Sequence, residues 1–269
     1  FSILQSTLKW ANDHFVKTHS FNQLDSTNIY SKELLFENFF STQLVLAGFQ
    51  TNGKGRGNHH WESSANHNLL SSWCLQLPSH IKIDPTFSCK VGLALYTALK
   101  ATWPWISFNL KAPNDIYIKD KKLAGLLIEF VQNKNIKVIV GLGLNVFESP
   151  ITQTSICLSQ VLNDSELNDY SWTSFLSNWY SQWNQLFSQN LKITSSLNHL
   201  NTFLNEPSND SSILNSEQES AIQVPLNEFQ CVSLLNALNA HPLLSEKYIS
   251  IHKDGSLQNS KGLIHWSNL

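Results

Sequence analysis

An apolar run, Leu44-Val45-Leu46-Ala47, is followed by Gln50-Thr51-Asn52-Gly53-Lys54-Gly55-Arg56-Gly57, where two cations stand among three glycines. Such a segment leaves a strand and turns at once into a basic loop. Glycine tolerates positive φ and close backbone approach, so the loop can offer amide N–H groups together with Lys54 and Arg56 to an anion, and a phosphate ester is the fitting guest. The pattern is neither a Walker A loop nor the G-x-G-x-x-G of a dinucleotide fold, and taken alone it also describes a solvated turn. Few apolar anchors between about Gly53 and His60 offset the entropy of ordering, so the loop is expected to be mobile until a ligand orders it.

The flanking segments read as the elements that hold this loop. Residues 1 to 20 read as a short helix, with a strand running into Phe21-Asn22-Gln23-Leu24. Ser26 or Thr27 can N-cap a helix through Ile29, Tyr30, Leu34 and Leu35. Asn68 to Pro78 alternates like a half-buried strand. Asp84-Pro85 opens a helix carrying Val91, Leu95, Ala98 and Leu99 on its packing face. A strand over Ile106 to Leu110 delivers Lys111, and Pro113 ends it by removing an amide donor. Ile116-Tyr117-Ile118 and Lys122 to Glu129 flank a polar turn as a hairpin, and Ile136 to Val146 is a further strand ending Gly141-Leu142-Gly143-Leu144-Asn145. Its glycines suit a tightly packed core strand. Trp172, Phe175, Trp179 and Trp183 recur at helical spacing over Leu167 to Leu186, which marks a core-facing stripe.

The organisation expected is a domain over residues 1–204, a solvated polar linker over 205–220, and a small, mostly β, domain over 221–269. Within the last, Tyr248 to His252, a turn at Asp254-Gly255 and Gly262 to Trp266 read as a β-hairpin. His252 and His265 could then lie side by side, but no third metal ligand accompanies them.

Composition narrows the function classes. The 269 residues carry a net charge of −2 and only 14% charged side chains, so there is no general basic field for nucleic acid or an anionic membrane, and any positive patch must be local. No run of about 18 apolar residues spans a bilayer and no signal peptide is evident, so the chain reads as cytoplasmic. Cys74, Cys89, Cys157 and Cys231 are widely spaced and form no C-x-x-C pair, so they are read as ordinary buried thiols. The absence of Met, even at position 1, is read as numbering that starts after a processed or trimmed beginning.

Taken in order, Asp25-Ser26-Thr27-Asn28, the glycine loop through Trp61, Asn68-Leu69 and Lys111-Ala112-Pro113-Asn114-Asp115 resemble the biotin protein ligase family, which carries D-S-T-N, Q-x-x-G-R-G-R-x-G-R-x-W, N-L and K-W-P-N-D. The resemblance covers roughly residues 21 to 150. It implies an α+β fold: a class II synthetase-like mixed sheet flanked by helices, with a small C-terminal, mostly β domain. A helix-turn-helix domain ahead of the catalytic one, present in some members, is not expected here.

The activity implied is formation of biotinyl-5'-AMP from biotin and ATP with Mg2+, followed by transfer to a lysine of a biotin carboxyl carrier protein, with no nucleic acid or membrane partner. The implied biotin-binding residues are Ser26, Thr27, Asn28, Gln50, Gly53, Lys54, Gly55, Arg56 and Lys111. The implied ATP and adenylate contacts are Lys54, Arg56, Trp61, Asn114 and Lys111, with Lys111 and Arg56 as the catalytic pair and no metal ligand assigned. Only the resemblance implies that the strand through Gly141 and Gly143 floors the site, where glycine lets a flat ring approach the backbone. Both half-reactions develop charge on oxygen, which a cation at the end of a rigid strand stabilises. Departures from the pattern are Lys54 for the first loop arginine, Gly57-Asn58-His59 for Arg-Gly-Arg, and Ala112 for tryptophan; they bear on retention of the intermediate more than on the reaction class. A lipoate or octanoate transferase of the same superfamily and a degenerate biotin-binding protein are the alternative readings.

Overall fold

The apolar runs become the strands of one mixed sheet in the computed structural model, which describes residues 1–57, 59–83, 86–111, 113–150, 154–204, 250–251 and 256–264. Its seven strands are β1 (Lys17–Phe21), β2 (Gln43–Ala47), β3 (Asn68–Leu77), β4 (Phe108–Lys111), β5 (Asp115–Ile118), β6 (Lys121–Gln132) and β7 (Ile136–Asn145), in the order β1-β2-β3-β7-β6-β5-β4. β1 and β2 are parallel and every other pair is antiparallel. The parallel pair needs a crossover, and α2 (Thr27–Lys32) lies on it. Three longer helices complete the frame: α1 (Ile3–Asp13), α3 (Phe87–Thr102) and α4 (Asp169–Leu204).

Period-2 alternation assigns the two faces. Leu69, Trp73, Leu75 and Leu77 of β3 and Val138, Val140, Leu142 and Leu144 of β7 join α1, α3 and α4 in the main core. Val45, Cys74 and Ile139 point the other way, into a smaller cluster with Leu34 beneath α2. β3 is therefore buried on both faces, not half-buried as its alternation implied: even Ser71 and Ser72, consecutive and so on opposite faces, are 1% and 0% exposed. The aromatic stripe of α4 is core, as expected. Trp172, Phe175, Trp179 and Trp183 are fully buried, and the indole N–H groups of Trp172 and Trp183 reach Thr7 Oγ1 at 3.0 Å and Thr42 Oγ1 at 2.8 Å.

Two local expectations are corrected. α2 stops at Lys32, whose carbonyl is taken by the Lys137 ammonium, so Leu34 and Leu35 lie beyond it and Leu35 is 85% exposed. In the C-terminal region an additional strand lies between the two expected ones: β8 (Ser250–Ile251), β9 (Leu257–Asn259) and β10 (Gly262–Ile264) form an antiparallel sheet in the order β10-β9-β8. The signal for β9 was a single apolar residue among polar ones, Leu257, and that residue is fully buried in the main core. The start of the α3 segment at Asp84-Pro85, Asn58, Ala112, Cys231, the 205–220 linker, residues 221–249, His252 and His265 lie outside the described residues.

Candidate functional site

A cavity of about 270 Å³ opens where the amino end of α2, the glycine loop and the site-facing side of β4 to β7 meet. Ser26, Thr27, Asn28, Gln50, Lys54, Gly55, Arg56, Trp61, Lys111 and Asn114 all line it. Gly53 does not; its part is steric, since a Cβ there would stand 2.5 Å from the Trp61 carbonyl oxygen. The loop is also better tied than its composition implied. Gly55 N–H donates to His59 O at 2.8 Å and Trp61 N–H to Gly53 O at 3.0 Å, so it folds back as a narrow hairpin. Gly57 turns its tip with φ +64, a value that favours glycine.

One end of the cavity is polar and uncharged. Ser26 holds the N-cap position of α2 but its hydroxyl makes no capping bond. Gln50 supplies that acceptor instead: its Oε1 takes the Thr27 N–H at 2.7 Å and the Thr27 hydroxyl at 3.1 Å. Capping therefore leaves the Ser26 hydroxyl at the wall and fixes the Gln50 carboxamide with its Nε2 toward Gly53. Asn28 lines the same end, but its carboxamide is committed to the protein: Nδ2 donates to Leu127 O at 3.2 Å and Glu129 Oε2 at 2.8 Å, and Oδ1 accepts from Ser72 Oγ at 2.6 Å.

The other end is cationic. Lys54, Arg56 and Lys111 line it, joined by Lys122, which the sequence reading placed in a hairpin and gave no role. Lys122 Nζ lies 2.9 Å from Asp115 Oδ2 and 5.6 Å from the Trp61 ring centroid, so it is anchored within the cavity. Lys111 Nζ lies 5.6 Å from the Tyr117 ring, and burial, reinforced by Asp115, holds the Tyr117 phenol above its ordinary range and so neutral. Asn114 braces the wall, with its Nδ2 donating to Leu126 O while Leu126 N–H returns to Asn114 O at 2.9 Å. The positive patch that the net charge of −2 forbids globally is thus concentrated here.

Between the two ends, the flat ring received by the β7 glycines is the protein's own. Gly143 pairs with Gly125 across β6 and β7, and the Trp61 indole rests on both: a Cβ at Gly143 would lie 2.4 Å from Trp61 Cε2 and one at Gly125 3.1 Å from Cζ3. Gly141 makes the corresponding room for Asn28, whose Oδ1 would be 2.3 Å from an added Cβ. The Trp61 Nε1 is buried without a hydrogen-bond partner. Among the described residues no cluster of His, Cys, Asp or Glu could hold a metal ion by itself.

The cysteines stand apart from this chemistry. Cys74, Cys89 and Cys157 are buried thiols outside any disulfide, and burial pushes the Cys74 thiol up to about 12, so it stays neutral at ordinary pH. Iodoacetamide at pH 8 is expected to leave Cys74 unmodified in the native protein and to alkylate it in denaturant, as peptide mass mapping would show. Native labelling at Cys74 would contradict its burial.

Residues 20–145, which contain every lining residue of the cavity, match the model of the Biotin/lipoate A/B protein ligase family. That segment is similar to the family over 126 residues, a little under half of the chain. Among curated proteins it is similar to the "Bifunctional ligase/repressor BirA" of Bacillus subtilis, 30% identical over 129 residues that cover 47% of this chain and 39% of that one. The Escherichia coli protein of the same description is 29% identical over 144 residues, 51% of this chain and 44% of that one. The chain thus matches about four-tenths of the length of these relatives. The same fold is seen in the biotin protein ligase from Aquifex aeolicus in complex with biotin and ATP, with a TM-score of 0.55 at 18% identity, over 92% of this chain and 94% of that one. Among the described residues no helix is long and apolar enough to cross a membrane.

Proposed function

We propose that this chain is an ATP-dependent biotin protein ligase, which forms biotinyl-5'-AMP and transfers the biotinyl group to a lysine of a biotin carboxyl carrier protein. The observation that carries the reading is the division of one cavity into an uncharged hydrogen-bonding recess at Ser26, Thr27 and Gln50 and a cation cluster at Lys54, Arg56, Lys111 and Lys122. A ureido ring needs donors and acceptors at one end of its site, and a carboxylate meeting a phosphate needs cations at the other. A dithiolane or an alkyl chain would leave the polar recess unpaired. The relatives named above support the same reading.

In the first step a biotin carboxylate oxygen attacks the α-phosphorus of ATP, the bond to the β-phosphate oxygen breaks, and pyrophosphate leaves. In the second, the acceptor lysine amine attacks the acyl carbon, AMP leaves, and the amine loses its proton. No enzyme nucleophile is required, so the chain acts by positioning and by cations held where charge develops. Lys111 and Lys122 meet the carboxylate and α-phosphate, Lys54 and Arg56 close over them from the loop, and the Trp61 indole and Asn114 receive the adenylate. Mg2+ belongs to the proposal; Asp115 is the one carboxylate among the described lining residues, which suits an ion that takes most of its ligands from phosphate and water. A domain over 1–204 followed by a linker and a small C-terminal domain, and a cytoplasmic setting consistent with the undisulfided thiols Cys74, Cys89 and Cys157, complete the reading. The test is to incubate the chain with ATP, Mg2+, biotin and a carrier domain. Gain of one biotinyl group on the acceptor lysine supports it, and an unmodified carrier rejects it.

Arg56 lines the cavity from the exposed loop, so Arg56→Gly is expected to weaken retention of the intermediate and not its formation. Free biotinyl-adenylate per ATP consumed should rise roughly tenfold, as for loss of one charge-assisted contact to phosphate. Equal release by the two proteins would remove Arg56 from the clamp.

A further inference from the structure

We propose that Glu129, which lies outside the cavity lining, is the positioning residue for its uncharged recess, acting through α2. The inference rests on the biotin ligase reading. Glu129 lies on β6 and receives two side chains from α2: Asn28 Nδ2 at 2.8 Å from Oε2 and Lys32 Nζ at 2.7 Å from Oε1. Asn28 and Lys32 are four residues apart and therefore stand on one face of the helix. One carboxylate thus pins α2 to the sheet at two points a turn apart.

That constraint matters because α2 is only six residues long and cannot hold its own conformation or place. Its amino end supplies Ser26 and Thr27 to the recess, and Thr27 in turn orients Gln50. The carboxylate also fixes which way the Asn28 amide faces. With Nδ2 satisfied by Glu129 and Leu127 O, Oδ1 is directed to Ser72 Oγ at 2.6 Å, in the notch that Gly141 leaves open. An exposed ion pair alone would do little. Here the more important partner is Asn28, which is 3% exposed and would be left with an unpaired buried donor.

Removing the carboxylate should therefore loosen the recess and spare the cationic end. For Glu129→Ala, the KM for biotin in pyrophosphate exchange is expected to rise roughly tenfold, the scale of one charged hydrogen bond, with kcat and the KM for ATP within about twofold of wild type. Glu129→Gln, which keeps an acceptor for Asn28 Nδ2, should restore most of the biotin KM. A role confined to stability would lower the melting temperature and leave both KM values unchanged, which would overturn the proposal, as would an equal rise in the two KM values. If Glu129→Ala does not fold, Glu129→Asp carries the same test, because its shorter arm cannot reach Asn28 and Lys32 together: a raised biotin KM supports the assignment and an unchanged one overturns it. Failure of the ligase reading is separately visible, since the wild-type chain would then show no biotin-dependent exchange.

Discussion

Replacing Lys122 by Gln is expected to lower the kcat of biotin-dependent pyrophosphate exchange by about 10²–10³, the usual loss when one preorganised charge contact is taken from a developing oxyanion. The side chain is two-thirds buried in the cavity and fixed between Asp115 and the Trp61 ring, so its ammonium is preorganised before substrate arrives. Lys111→Gln should cost a comparable amount, since Lys111 ends β4 at the same cation cluster. Glutamine keeps most of the length of each chain, so the fold should survive in both. Steady-state exchange with circular dichroism as a control separates the contributions. A kcat near wild type in either variant would remove that lysine from the chemistry, and a change confined to KM would make it a binding residue only.

Gly143→Ala should be nearly as damaging, for a steric reason. The new Cβ would lie 2.4 Å from Trp61 Cε2, against 3.4 Å for ordinary contact, so the indole must retreat by about 1 Å. A misplacement of that size at a reacting site costs on the order of 10²-fold. The recess at α2 is remote from this contact, so biotin binding by calorimetry should persist while adenylate formation falls. Preserved adenylate formation would show that the Trp61 platform does not position the nucleotide.

Much of the site was legible because its residues announce themselves by type. Gly53 to Gly57, Ser26-Thr27 and Lys111 with Asn114 are glycines, short polar groups and a strand-end cation in unusual company, and the structure brings all but Gly53 and Gly57 to one cavity wall. Lys122 was passed over because it follows Lys119-Asp120-Lys121, a turn that reads as solvated; only the fold turns it inward onto Asp115. Contacts between distant segments were equally hidden. Asn28 and Glu129 are 101 residues apart in sequence, and the seat of Trp61 on Gly125 and Gly143 depends on the β6/β7 register. The two-sided burial of β3 was missed for a related reason: nothing in the segment announces that α2 covers its second face, where Ser72 Oγ donates to Asn28 Oδ1 at 2.6 Å.

The central claim is that one cavity joins a biotin-type headgroup to adenylate chemistry. Exchange of labelled pyrophosphate into ATP, run on the purified chain with biotin, lipoate and octanoate in parallel, tests it most directly. The account predicts exchange with biotin and none above background with the other two. Exchange with lipoate or octanoate in place of biotin, or with no acid at all, would contradict it.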